Sequence, residues 1–361
     1  MTEPMTDEAT TADDSMNDLQ PVARPRPPLS VLELVPVGDG TTPAAALASA
    51  AELARLAERL GYSRLWVAEH HNMPGIASSS PAVLIAHLAA ATETIRVGAG
   101  GVMLPNHAAL VVAEQFGMLE ALHPGRIDLG IGRAPGTDPV TAAALRRSMS
   151  LAVDEFPEQL RDLFSFFDGT HPQIIAVPGR GYRPAVWMLG SSDFSARVAG
   201  ALGLPFSFAH HFASQNTVAA LEIYRESFRP SPELDRPYSM IGVPVICAET
   251  DERARWLSGP SALSFARLRQ GRPTQLPTPE EAAEHVFTPT EREIVRAWTA
   301  PLIRGEPEHV RTELEALAQR TGADELMITT MIHGPADRLR SYALVADAWD
   351  LSPTVVTEAP V

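Results

Sequence analysis

The chain is expected to fold as α/β, a single (β/α)8 TIM barrel with insertions after strands four and seven, and three observations lead there. From Leu29 onward, short apolar runs alternate with segments whose apolar residues recur at helical spacing, the pattern of a parallel sheet covered by helices. The 361 residues are 45% hydrophobic, enough for one barrel with insertions. Three of the apolar runs end in glycine, histidine or arginine, and the carboxyl ends of barrel strands are where such fold types gather their chemistry.

The first strand is read over residues 29–37. A helix follows Thr42-Pro43, carries Leu47, Ala50, Leu53, Ala54, Ala57 and Leu60 at helical spacing, and stops at Gly61. The second strand runs over 64–71, and a helix over about 81–93 leads to the third strand at 95–105. A helix over about 108–122 repeats Leu110, Val111, Met118, Leu119 and Leu122, after which His123-Pro124-Gly125 turns the chain into strand four, 126–133. The first insertion holds a helix over about 152–167 and a Pro/Gly-rich excursion, 169–184. Strand five is 185–189, followed by a helix at 194–202, strand six at 205–212, a helix at about 215–228 and strand seven at 238–248. Residues 249–306 are too long for a barrel loop and partly helical in pattern. Their middle, 271–281, is expected to be a mobile excursion able to lid the site. Strand eight, 325–332, ends at His333, and a helix over 335–349 closes the ring.

Composition narrows the function. The formal net charge of −15 argues against a nucleic-acid or anionic-membrane surface, since both require clustered positive charge. All 29 basic residues are arginine, which removes Schiff-base, carbamylated-lysine and P-loop chemistry. The lone Cys247 sits in the apolar run 241–248 and reads as core. Residues 1–28 carry six acids, two arginines and several prolines and are expected to be a disordered acidic tail. The barrel is assigned to 29–350 and a C-terminal tail to 351–361. With no signal-like or membrane-length apolar run, a cytoplasmic location is expected.

Glu69-His70-His71 places a carboxylate and two imidazoles at the end of strand two. Side chains alternate along a strand, so Glu69 and His71 share one side and His70 takes the other unless the strand has already ended. Imidazole suits acid/base work near neutral pH; capping the next helix and packing on Trp66 are the structural alternatives. Gly98-Ala99-Gly100-Gly101 is followed by the extended Val102-Met103-Leu104-Pro105, and Gly130-Ile131-Gly132-Arg133 by Ala134-Pro135, so neither is a dinucleotide-binding turn. Glycines at a strand end with no turn to make suggest a flat group approaching the backbone, an unusual backbone conformation, or a simple bulge. Gly190-Ser191-Ser192, at a strand-to-helix junction, offers backbone N–H groups, hydroxyls and a helix dipole to an anion, with Arg133 the nearest guanidinium. Ordinary capping by Ser192 also explains the serines. His107, His210, His211 and His333 add imidazoles to the same rim, but no clustered metal-ligand set is recognised and no metal is expected.

Taken in order, Glu69-His70-His71, the run from Val97 to Pro105, the run from Gly125 to Arg133, and Leu189-Gly190-Ser191-Ser192 resemble the bacterial-luciferase-like family of flavin-dependent monooxygenases over residues 29–349. The resemblance implies a barrel that binds FMN, or in a sister branch F420, across its C-terminal rim. It implies a cis peptide at Gly100-Gly101 beneath the ring, with Val102 and Leu189 near it. The phosphate would be held by Arg133, Gly190, Ser191, Ser192 and Ser195. It makes His70 the catalytic histidine, with Glu69 and His71 beside it. The implied reaction uses reduced FMN from a separate flavin reductase and O2 to oxygenate a small-molecule substrate through a flavin C4a-hydroperoxide. F420-dependent hydride transfer and a non-catalytic flavin-binding partner subunit are the alternatives, and a homodimer is the family's usual assembly. Luciferase has a reactive cysteine where Gly132 stands here, so light emission from a long-chain aldehyde is not implied.

Overall fold

Alternation along each strand decides which side chains fill the barrel and which face the surrounding helices. The computed structural model describes residues 25–134, 138–145 and 155–353. Its strands in chain order are β1 (Leu29–Glu33), β2 (Arg64–Val67), β3 (Arg96–Met103), β4 (Ile127–Gly132), β5 (Ala185–Gly190), β6 (Phe206–Phe208), β7 (Ser239–Cys247), β8 (Ile303–Gly305) and β9 (Glu325–Thr329). Eight of them, all but β8, pair in parallel and close a barrel through the β1–β9 and β6–β7 pairings. The short β8 lies outside the ring, paired only to the end of β7.

Outward residues such as Val31, Leu65, Val67, Val97, Leu129 and Ile131 join the helices in the main apolar core. Inward residues stack in layers. The floor, at the amino ends of the strands, is polar and buried. Asp128 accepts from Arg64 (2.8 Å), Arg96 (2.6 Å) and the Trp66 indole (2.8 Å), and Arg64 also donates to Glu325 (2.8 Å). Charge at this end of a barrel serves stability. Above the floor lie Leu32, Trp66, Trp187, Met240 and Met327, with the two indoles edge to face at 5.1 Å. A side chain at Gly98 would come within 2.8 Å of the Trp66 indole nitrogen, and one at Gly100 within 2.9 Å of the same ring. The glycines of β3 are thus the small half of a large/small layer that houses a tryptophan.

Several boundaries differ from the sequence expectation. β1 stops at Glu33 rather than 37, because Val35 takes φ 56°, a value that breaks an extended run and is unusual for a β-branched residue. β2 ends at Val67, so Glu69-His70-His71 follow it in a loop. β6 is only three residues long, and His210 and His211 open a short helix, His210–Ala213. The helix Pro307–Thr321 escaped the sequence reading, although Pro307 at its start, Val310, Leu314 and Leu317 on one face and Gly322 beyond its end all signal it. So did Pro139–Leu145 in the first insertion. The helix expected from residue 152 begins at Phe156, and 152–154 lie outside the described residues.

The second insertion contains helices Asp251–Arg269, Pro279–Glu284 and Pro289–Thr299. Its middle, the expected excursion, is anchored at Leu276, which is buried, donates its N–H to Val37 (2.9 Å) and accepts at its carbonyl from Asp39 (2.8 Å). At the amino end, Arg26, assigned to the tail, pairs with Glu315 and Asp350 at 2.7 Å each. Of the expected tails, 1–24 and 354–361 lie outside the described residues. Burial pushes the Cys247 thiol up to about 12, which removes the thiolate required for redox or nucleophilic work at neutral pH. Among the described residues no helix is long and apolar enough to cross a membrane.

Candidate active site

Parallel strands point their carboxyl ends one way, so the loop after β2, the end of β3, Arg133 after β4 and the Leu189–Ser192 stretch all open on one mouth of the barrel. Gly100 pairs with Gly130, and Gly130 in turn with Trp187. The glycine pair and the loop after β5 therefore sit two strand spacings apart, roughly 10 Å. The Gly100–Gly101 peptide is cis. A side chain at Gly101 would overlap the Leu189 δ-methyl and approach the Gly130 carbonyl to 2.8 Å. Packing alone therefore requires glycine here. Leu189 lies against the pair and is half-buried, whereas Val102 turns its side chain into the core and away from the mouth.

The helix Asp193–Leu202 begins at the mouth. Ser192 occupies its N-cap in an extended conformation, yet its hydroxyl makes no capping bond. Ser191 and Ser192 are exposed, and the Arg133 guanidinium lies 4.2 Å from the centre of the Phe194 ring in that helix's first turn. The structure thus brings together a guanidinium, two hydroxyls and the N–H groups of a helix start, a donor set suited to a phosphate. Ser195 is set apart: it is buried, and its side chain packs against Gly190.

Glu69 is fully buried and holds the mouth together. Its carboxylate meets His71 and His107 at 3.0 Å each, and accepts from the Met103 N–H (3.0 Å) and the Asn106 amide (3.2 Å). Burial alone would raise its pKa, but the bonds from His107, Met103 and His71 outweigh it and leave the group below the ordinary carboxylate range. Glu69 and His71 meet in a loop, not by strand alternation, since β2 has already ended. Both serve as a brace between the loop after β2 and the end of β3.

His70 points elsewhere. It lines a cavity of about 300 Å³ whose walls include His211, Phe212 and Thr329 from the barrel and Phe265 and Trp298 from the second insertion. Sequence reasoning missed these last four, because their meeting depends on a long insertion folding back over the barrel. The other rim histidines separate. His211 lines the cavity, His107 joins Glu69, His333 contacts the Asp39 carbonyl (3.0 Å), and His210 turns away to Thr217 (2.7 Å). Among the described residues no group of three or more His, Cys, Asp or Glu side chains is arranged to hold a metal.

Burial, aided by the charge of Arg320, pulls the His210 pKa down to about 4 from an ordinary 6.5. The unfolded chain therefore binds a proton between about 6.5 and 4 that the folded chain refuses, and stability falls as pH drops through that window. Urea midpoints measured across it should decline less steeply in His210→Gln than in the parent. Equal slopes would mean that the imidazole is not held neutral.

A profile of the luciferase-like monooxygenase family matches residues 29–325. The Bacillus subtilis protein YvbT is 51% identical over 324 residues, covering 89% of this chain and 96% of its own. A luciferase-like monooxygenase of Escherichia coli K12 is 45% identical over 320 residues, covering 88% and 96%. The solved structure of apo-MsnO8 superposes with a TM-score of 0.82 at 40% identity, covering 91% of this chain and 100% of that one.

Proposed function

Since this chain belongs to the luciferase-like monooxygenase family, we propose that it uses reduced FMN and O2 to oxygenate a small organic molecule. The observation that carries the reading is Arg133, one strand from Gly100-Gly101, lying over the Phe194 ring beside Ser192, an N-cap whose hydroxyl makes no capping bond, at a helix start two strands from the glycines, a span that a ribityl chain covers. Arg133 and the helix start would hold the phosphate, and the Gly100–Leu189 surface would support the ring. Bound reduced FMN supplies the electrons and the oxygen-activating chemistry that side chains lack. Within this reading His70, on the wall of the apolar cavity, holds or moves a proton at the reacting oxygen. The cavity walls keep water from the reacting atoms, and Glu69 fixes the backbone around them. A separate reductase supplies the reduced cofactor, and the working unit is a cytoplasmic homodimer.

The test is reconstitution with FMN and with F420 in parallel, followed by reaction under 18O2. Label in the product with FMN supports the proposal; binding of F420 alone, or substrate oxidation without oxygen uptake, sinks it. The phosphate assignment has its own check. Arg133→Met should weaken FMN by about 10- to 100-fold, the value of a charge-assisted bond, while riboflavin, which has no phosphate, binds as before. Equal weakening of both ligands would move the phosphate elsewhere.

A further inference from the structure

We infer that the cavity beside His70 is built for an uncharged, mostly apolar molecule with one hydrogen-bonding group, held by Thr329, and that it rejects carboxylates. Calling that molecule a substrate rests on the oxygenase reading; the cavity's chemistry does not. At about 300 Å³ it lies at the small end of ligand pockets. Its described walls contain no arginine, aspartate or glutamate, only the imidazoles of His70 and His211. The His211 Nδ1–H donates to the Gly242 carbonyl (3.2 Å). Burial, with His210 and His70 nearby, brings its pKa to about 4, so it offers no positive charge at neutral pH. A carboxylate entering here loses its water and meets neither a guanidinium nor a charged His211.

The roof is aromatic. Phe265 stacks on Trp298 at 4.0 Å, and Phe212 adjoins at 6.1 Å. Phe212 keeps 59% of its surface exposed although it faces the cavity, so an apolar guest gains by covering it. Among the wall hydroxyls, which include Ser261, Ser264 and Thr274, that of Thr329 is the one buried with no hydrogen-bond partner among the described residues. A buried hydroxyl left unpaired is costly, and a carbonyl or ether oxygen on the guest would satisfy it.

The probes are 2-octanone and octanoate, nearly equal in size and different in charge, titrated calorimetrically into the full-length chain at pH 7.5. The ketone should bind at least about 100-fold more tightly. Thr329→Val should weaken the ketone by about 3- to 10-fold, one neutral hydrogen bond, and Phe265→Ala should weaken it further. Octanoate binding as tightly as the ketone, no binding of the ketone, or an unchanged ketone affinity in Thr329→Val would overturn the inference. FMN titration of the same preparation keeps the two readings apart. Ketone binding without FMN binding damages only the oxygenase proposal, whereas FMN binding with a preference for octanoate damages only the cavity assignment.

Discussion

Replacing His70 with alanine is expected to lower turnover by on the order of 10²- to 10³-fold, the usual effect of losing a positioned acid/base group, while FMN affinity changes by less than about threefold. The separation follows from the architecture. His70 lines the apolar cavity, whereas the proposed phosphate donors, Arg133 and the start of helix Asp193–Leu202, stand on the far side of β3. His70→Gln keeps polarity without a titratable ring and should recover little activity. Turnover and FMN affinity falling together would show that the residue shapes the cofactor site and does not act on the reacting atoms.

Asp128→Ala should cost about 3–5 kcal/mol of folding stability, the range seen when one partner of a buried ion pair is removed. The carboxylate is fully buried and serves two guanidiniums and an indole at once. Its removal leaves the Trp66 N–H without an acceptor and reduces the compensation of Arg64 and Arg96. Urea unfolding of parent, Asp128→Ala and Asp128→Asn provides the measurement. Asparagine retains the shape and an oxygen for Trp66, so it should fall between the two. A loss under about 1 kcal/mol for alanine would mean that Glu325 and solvent supply what Asp128 does.

These two residues show what the sequence makes legible. The strand-and-helix alternation, the closing order of the barrel and the gathering of Gly101, Arg133 and Ser192 on one mouth all follow from local patterns, because parallel strands send like ends to like places. Asp128 stands in the same run as Arg133, yet it lies at the opposite end of the lumen, since a six-residue strand crosses from floor to mouth. Position within the strand decides its role, and a motif read as one unit conceals that. In the sequence the glycines of β3 suggest a flat group, an unusual backbone or a bulge; in the structure Trp66 and Leu189 already demand them. Strand ends depart from the sequence pattern where one residue overrides a smooth apolar run, as Val35 does at φ 56°. The aromatic cavity wall left no local signal at all. Phe212 and Trp298 are far apart in the chain, and only the path of the second insertion makes them neighbours.

The way that insertion is fastened has a practical side. Leu276 is stitched to Val37 and Asp39 beyond β1, and the Val37 N–H in turn donates to Gly75 (2.9 Å) in the stretch after β2. Three separate lengths of polypeptide are laced into one ceiling. Transplanting residues 251–299 from a relative to alter selectivity would sever these knots, so a functional chimera must carry all three pieces across together.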